Sequence, residues 1–161
     1  MSKQTWELAD EAATVALAAR LATVLIDNGG HAESDRGLVI YLHGELGAGK
    51  TSFARALLGA LGVGERIKSP TYSLVESYQA QGRLAWHLDL YRIADPGELE
   101  WLGLDALSDP AALVLVEWPE RGAGALPVAD LQLDLNYAGM GRQATWHSHT
   151  ERGARVLARL G

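Results

Sequence analysis

Residues 41–62 read YLHGELGAGKTSFARALLGALG. Within them, Gly44-Glu45-Leu46-Gly47-Ala48-Gly49-Lys50-Thr51 fits G-x-x-x-x-G-K-[ST] at every position. The chemistry of a phosphate cradle needs these residue types. Glycines let the backbone curl so that successive N–H groups point at phosphate oxygens. A helix that follows adds its positive N-terminal end. The lysine reaches the β- and γ-phosphates, and the threonine hydroxyl helps hold Mg²⁺. The context agrees. Leu38 to Leu42 is a short apolar run, as in a strand buried on both faces. After the loop, Phe53, Leu57, Leu58 and Leu61 form one helical stripe, with Gly62 placed to end it. Residues 45–52 are therefore the expected nucleotide contact: Glu45, Leu46, Gly47, Ala48, Gly49, Lys50, Thr51 and Ser52. Ser52 either meets the α-phosphate or simply occupies the first helical turn. Glu45 reads as an exposed loop charge, and His43 as a structural strand-end residue.

The rest of the chain is consistent with one domain over residues 1–161. Residues 4–9 read as an edge strand, and residues 11–27 as a helix capped by Asp10. Residues 73–78 and 83–92 read as two strands around Gln79-Ala80-Gln81-Gly82. Asp95-Pro96-Gly97-Glu98 carries the chemistry of a helix start, with Asp95 as N-cap, Pro96 at the first helical position and Glu98 closing a capping box. Leu113 to Val116 is a second buried strand. Leu131, Leu133, Leu135 and Tyr137 alternate with polar residues, residues 138–141 turn, and residues 143–149 return as a strand. Residues 151–160 form a last helix. This pattern predicts an α/β fold: a single three-layer P-loop NTPase domain with a mixed central sheet and antiparallel hairpins.

Two strands carry carboxylates. In LAWHLDLYR, residues 84–92, Leu84, Trp86, Leu88 and Leu90 share one face, and His87, Asp89 and Tyr91 share the other. That second face is either the solvated side of a hairpin or a chemical face with Asp89 near the magnesium or the attacking water. In ALVLVEWPE, residues 112–120, an apolar run leads to Glu117 at the strand's C-terminal end, where ligands sit in open α/β sheets. Glu117 is the expected second magnesium-side carboxylate, making Thr51 and Glu117 the metal pair; the alternative is a strand-end acid facing water. His147 and His149 share a strand face without an obvious metal partner and read as surface residues.

Bulk composition narrows the class. The formal charge of −6 disfavours autonomous nucleic-acid binding. The absence of cysteine excludes disulfides and thiolate metal sites and fits a reducing cytoplasm. No apolar run reaches the ~18 residues of a membrane span. A GTPase base reader N-K-x-D is absent, since Asn28 and Asn136 are the only asparagines and neither begins it. ATP or ADP with Mg²⁺ is the expected ligand. The residues alone also leave open a small-molecule kinase, or a nucleotide-dependent binding module without hydrolysis.

Taken together, GELGAGKTSF, KSPTYSLVESY, HLDLYRIADPGELEWLG, LVEWPERGAGALP and the late GR hairpin resemble the TsaE (YjeE) family in content and order across about residues 8–145. The resemblance implies a cytoplasmic ATPase, weak in isolation, that supports synthesis of N6-threonylcarbamoyladenosine in tRNA. It implies that the transfer chemistry belongs to the partners TsaB and TsaD, whose heterodimer this chain would keep turning over, and that tRNA is met only through that complex. By the same resemblance, Lys50, Asp89, Arg92 and Glu117 belong to the catalytic region. Ser69, Pro70, Thr71 and Tyr72 form a switch-like loop. The adenine site uses the N-terminal segment, with Glu11 and Thr14, and the Arg142 hairpin.

Overall fold

The structure of the protein is a computed structural model that describes residues 2–27, 37–63, 75–80, 83–102 and 104–161. Among the described residues, seven strands and three α-helices follow one another as β1 (Lys3–Leu8), α1 (Glu11–Asp27), β2 (Leu38–Gly44), α2 (Lys50–Ala60), β3 (Val75–Ala80), β4 (Arg83–Asp89), β5 (Leu113–Glu117), β6 (Leu131–Ala138), β7 (Gly141–Ser148) and α3 (Glu151–Leu160). The strands form one mixed sheet in the order β1-β7-β6-β2-β5-β4-β3. The pairs β2–β5, β2–β6 and β4–β5 are parallel. The pairs β3–β4, β6–β7 and β1–β7 are antiparallel. The expected mixed sheet and both hairpins are present. The switch-like loop at residues 69–72 and the Gln81-Gly82 turn lie outside the described residues.

Alternation along the central strands builds the layers. Leu38, Ile40 and Leu42 of β2, with Leu113 and Leu115 of β5, face a core shared with α1, α2 and α3. Val39, Val114 and Val116 face a second core with Leu88, Leu90, Ile93, Leu99 and Leu107. The parallel strands are thus covered on both sides, as their continuous apolar sequences require. The helix ends obey the local signals. Asp10 Oδ1 accepts the Ala13 N–H at 2.9 Å at the start of α1. At the end of α2, Gly62 takes φ 99°. There its N–H bonds the Gly59 carbonyl and the Val63 N–H bonds the Leu58 carbonyl, the paired closure that a left-handed residue permits.

Two expectations change in form. The segment begun by Asp95 and Pro96 is a 3₁₀ helix, Pro96–Leu102, rather than an α-helix. Its side chains tie a tighter turn than a capping box does. Asp95 Oδ1 takes the Gly97 N–H at 2.9 Å, and Glu98 Oε2 takes the Ala94 N–H at 3.3 Å. The second cover layer therefore consists of 3₁₀ segments, the others being Leu104–Ser108 and Pro119–Gly122. The polar face of β4 is not a solvated hairpin face: Ala85 and His87 are fully buried there, because β5 lies parallel beside β4 and the sheet is covered on both sides.

Candidate functional site

β2 delivers the chain to the glycine loop and α2 carries it away. A Cβ on Gly44 would stand 2.6 Å from the Leu135 carbonyl oxygen of neighbouring β6, so only glycine lets the loop leave the sheet this close to β6. Gly49 precedes α2 with φ 109° and, having no side chain, caps none of its N–H groups. The first-turn amides are therefore left to whatever anion the loop holds. Lys50 is the first residue of α2 and is 5% exposed. Its ammonium is tucked back into the loop, donating to the carbonyls of Gly44 and, at 3.2 Å, Glu45. It also lies 4.1 Å from the centre of the Trp118 ring. Burial lowers its pKa from the ordinary lysine value, opposed by the negative charges of Glu117, Asp89 and Glu120.

The sheet register brings the carboxylates together. Leu42, Glu117 and Asp89 stand side by side at the C-terminal ends of three parallel strands. Glu117 is 2% exposed. The Thr51 hydroxyl lies 2.7 Å from Glu117 Oε1 and 2.9 Å from Oε2. His87 Nε2 lies 2.6 Å from Oε2. Asp89 Oδ1 accepts the Tyr91 N–H at 3.1 Å. Burial raises the Asp89 carboxyl above the usual aspartate range; Glu117 adds to the rise, while the Tyr91 N–H, His87 and Lys50 oppose it. Lys50, Thr51, Asp89, Tyr91, Glu117 and Trp118 line one cavity of about 210 Å³ beside the loop. The Tyr91 and Trp118 rings are tilted by 53° with centroids 5.1 Å apart, and the Arg121 guanidinium lies 5.5 Å from the Tyr91 ring centre.

A second cavity of about 300 Å³ shares Gly47, Gly49 and Ser52 with the first and is walled by Leu8, Asp10, Glu11, Thr14, Met140 and Arg142, with Ala48 and Gly141. Glu11 and Thr14 reach it from one face of α1, where residues three apart are neighbours. The hairpin tip grips the loop from outside. Tyr137 donates its hydroxyl to the Leu46 carbonyl at 3.2 Å. Arg142 Nε donates to the Ala48 carbonyl at 3.3 Å, its guanidinium 4.2 Å from the Tyr137 ring centre.

Of the residues singled out from sequence, Gly47, Gly49, Lys50, Thr51, Ser52, Asp89 and Glu117 line the first cavity with Leu46, and Glu11, Thr14, Ala48 and Arg142 line the second. Glu45 is exposed, as expected, though its carbonyl accepts from Lys50. Arg92 is exposed in the turn after β4 and belongs to neither cavity wall. Sequence reasoning placed His87 and Tyr91 on the face of Asp89 without giving either a role, and left Trp118, Tyr137 and Met140 out of the site. Trp118 and Tyr91 carried a usable signal, since each adjoins a carboxylate strand end. Tyr137 and Met140 reach the loop only through the β2–β6 pairing, which no local spacing reveals. Among the described residues no group of three or more His, Asp or Glu side chains could hold a metal ion. His147 is half-buried and pairs with Asp134 at 3.0 Å instead.

A family model described as threonylcarbamoyl adenosine biosynthesis protein TsaE matches residues 8–144, a span that contains the loop, both carboxylate strands and the Arg142 hairpin. The chain belongs to the TsaE family. It is 34% identical over 158 residues to the tRNA threonylcarbamoyladenosine biosynthesis protein TsaE of Haemophilus influenzae, covering 98% of each chain. It is 37% identical over 103 residues to the Bacillus subtilis protein of the same name, covering 64% of each. The crystal structure of Bacillus subtilis YdiB superposes with a TM-score of 0.75 at 26% identity, covering 99% of this chain and 94% of that one. The fold is that of a P-loop NTPase, which suggests nucleotide binding. No helix among the described residues is long and apolar enough to cross a membrane.

Proposed function

We propose that this TsaE-family chain is a magnesium-dependent cytoplasmic ATPase that supports tRNA N6-threonylcarbamoyladenosine synthesis, coupling ATP binding and hydrolysis to turnover of a TsaB–TsaD heterodimer. The observation that carries the reading is the Thr51 hydroxyl 2.7 Å from Glu117, beside a glycine loop whose lysine ammonium is already seated within it. The names of the relatives in Haemophilus influenzae and Bacillus subtilis support the pathway.

The donor chemistry suits magnesium. A hydroxyl and a carboxylate are hard oxygen ligands, and Mg²⁺ is ordinarily held by one or two protein oxygens, with water and phosphate completing its shell. Thr51 and Glu117 would hold it. When bound, the ion neutralises charge on the β- and γ-phosphates. The chain's own groups do the rest. The loop amides and the α2 N-terminus bind phosphate oxygens, and Lys50 exchanges the Gly44 and Glu45 carbonyls for phosphate. Asp89 accepts a hydrogen bond from water on the same side as Glu117. The second cavity takes the adenosine end, with Glu11, Thr14 and Arg142 around it. Arg92, exposed in the turn after β4, would add positive charge near the catalytic region. With a net charge of −6, contact with tRNA depends on the partner proteins.

The two carboxylates separate by experiment. Fluorescent ADP, titrated with and without Mg²⁺, should bind Glu117→Ala nearly as well as wild type in EDTA, while the Mg²⁺ response weakens about tenfold or more. Asp89→Asn should instead leave ADP affinity within about twofold and lower ATP turnover, the signature of an interaction made mainly in the transition state. An unchanged Mg²⁺ response in Glu117→Ala, or a large affinity loss with normal turnover in Asp89→Asn, contradicts these roles.

A further inference from the structure

β4 carries an imidazole at a position where a strand covered on both faces ordinarily carries valine or leucine. His87 is fully buried. Its Nδ1 has no hydrogen-bond partner among the described residues. Burying a polar ring with one nitrogen unsatisfied costs stability that an apolar side chain of similar size would not. Packing alone therefore does not account for a histidine here. The other nitrogen supplies the reason: Nε2 lies 2.6 Å from Glu117 Oε2. A carboxylate oxygen only accepts, so Nε2 carries the hydrogen.

Glu117 has a side chain with several rotatable bonds at a strand end. Its other bonds run to the Thr51 hydroxyl, which reaches both of its oxygens. That hydroxyl sits on α2, across the loop, and rotates freely about its own bond. His87 holds the carboxylate from the sheet side instead. It lies on the strand beside β5, two positions before Asp89, the register partner of Glu117. Its ring is locked by full burial. The imidazole holds Oε2 alone among the two oxygens, while the Thr51 hydroxyl lies close to both, 2.7 Å from Oε1 and 2.9 Å from Oε2.

We propose that His87 is a positioning residue for Glu117, fixing the carboxylate so that Oε1 and the Thr51 hydroxyl present themselves together to a divalent cation beside the phosphate loop. The proposal rests on the reading of Thr51 and Glu117 as the magnesium pair. Hydrogen-bond partners of metal-side groups commonly tune metal affinity by ~10- to 100-fold when removed. His87 acts through Glu117 and touches no phosphate, so its effect falls on the cation and not on the nucleotide.

The test uses the full chain and three variants, read by melting temperature, fluorescent ADP affinity in EDTA, and the Mg²⁺ concentration for half-maximal response at fixed ADP. His87→Leu fills the space without a donor. His87→Asn has a donor too short to reach Oε2. His87→Gln has an amide N–H that reaches it. The expected result is an EDTA affinity within about twofold of wild type in all three, with the half-maximal Mg²⁺ raised about tenfold in His87→Leu and His87→Asn and restored in His87→Gln. Should His87→Leu fail to fold, the Asn and Gln variants decide by the same contrast. Equal Mg²⁺ responses in His87→Asn and His87→Gln overturn the proposal, as does parallel loss of EDTA affinity in both. Failure of the underlying reading shows elsewhere: wild type would lack a Mg²⁺ response, or Glu117→Ala would keep it, and the proposal would fall with that reading.

Discussion

Lys50→Ala is expected to lower ATP turnover by about 100- to 1000-fold, the usual cost of removing a preorganised charge from a phosphoryl-transfer site. The protein should stay folded. Lys50 stands at the first position of α2, and the apolar face that anchors that helix is Phe53, Ala54, Leu57 and Leu58. Its buried ammonium is an electrostatic burden in the free protein, since burial already disfavours its charged form. Truncation removes two hydrogen bonds to loop carbonyls, at Gly44 and Glu45, and one contact with the Trp118 ring. It also removes the desolvated charge. The melting temperature should therefore move by only a few degrees, roughly 1 kcal/mol in either direction. A folded variant that hydrolyses ATP at near wild-type rate contradicts the assignment of this loop as the phosphate site.

The largest loss of stability is expected far from the nucleotide, at Asp130. This carboxylate is 5% exposed and joins three parts of the chain. Oδ2 accepts the Val39 N–H at 2.8 Å and Arg152 Nη2 at 2.6 Å, while Oδ1 accepts the Thr150 hydroxyl at 2.6 Å. Thr150 in turn caps α3 through the Gly153 N–H. The backbone is as crowded: a Cβ on Gly153 would stand 2.0 Å from the Asp130 carbonyl oxygen. Asp130→Ala leaves the Val39 N–H buried without this partner and removes the carboxylate opposite Arg152. Leaving the buried Val39 N–H without its acceptor costs about 1–3 kcal/mol, to which the pair with the partly exposed Arg152 adds less than a fully buried one would, for a fall in melting temperature of roughly 5 °C or more. ADP affinity of the folded fraction should be unchanged, because Asp130 lies in neither cavity wall. A loss below about 1 kcal/mol would reduce the cluster to an ordinary surface ion pair.

What the sequence made legible was local. The loop, the helix that follows it and the Gly62 closure are encoded within about twenty contiguous residues, and each was readable from spacing and residue type. The β6–β7 hairpin was readable for the same reason, because period-two alternation and a glycine turn need no partner. Asp95 as the residue that starts the helix was readable, but the expected capping box was not formed, since Glu98 takes the Ala94 N–H. The outcome was a 3₁₀ helix, since the bonds close on Gly97 and Ala94. The polar face of β4 was ambiguous for a physical reason. Whether His87 and Asp89 face water depends on β5 lying parallel alongside and on Glu117 arriving opposite Asp89. No feature of LAWHLDLYR contains that fact. The grip of Tyr137 and Arg142 on the loop carbonyls was likewise invisible, because it requires β6 to pair with β2 across some ninety residues of chain.

The central claim is tested most directly by phosphate release from ATP, measured for the protein alone, with tRNA alone, and with a TsaB–TsaD complex. Tyr91 and Trp118 line the cavity beside the glycine loop together with Asp89 and Glu117, and on the proposed reading a partner would order this site and exclude water from it. Turnover should be slow in isolation, unchanged by tRNA, and raised roughly tenfold or more by TsaB–TsaD. Full activity in isolation, or stimulation by tRNA without the protein partners, would contradict the account.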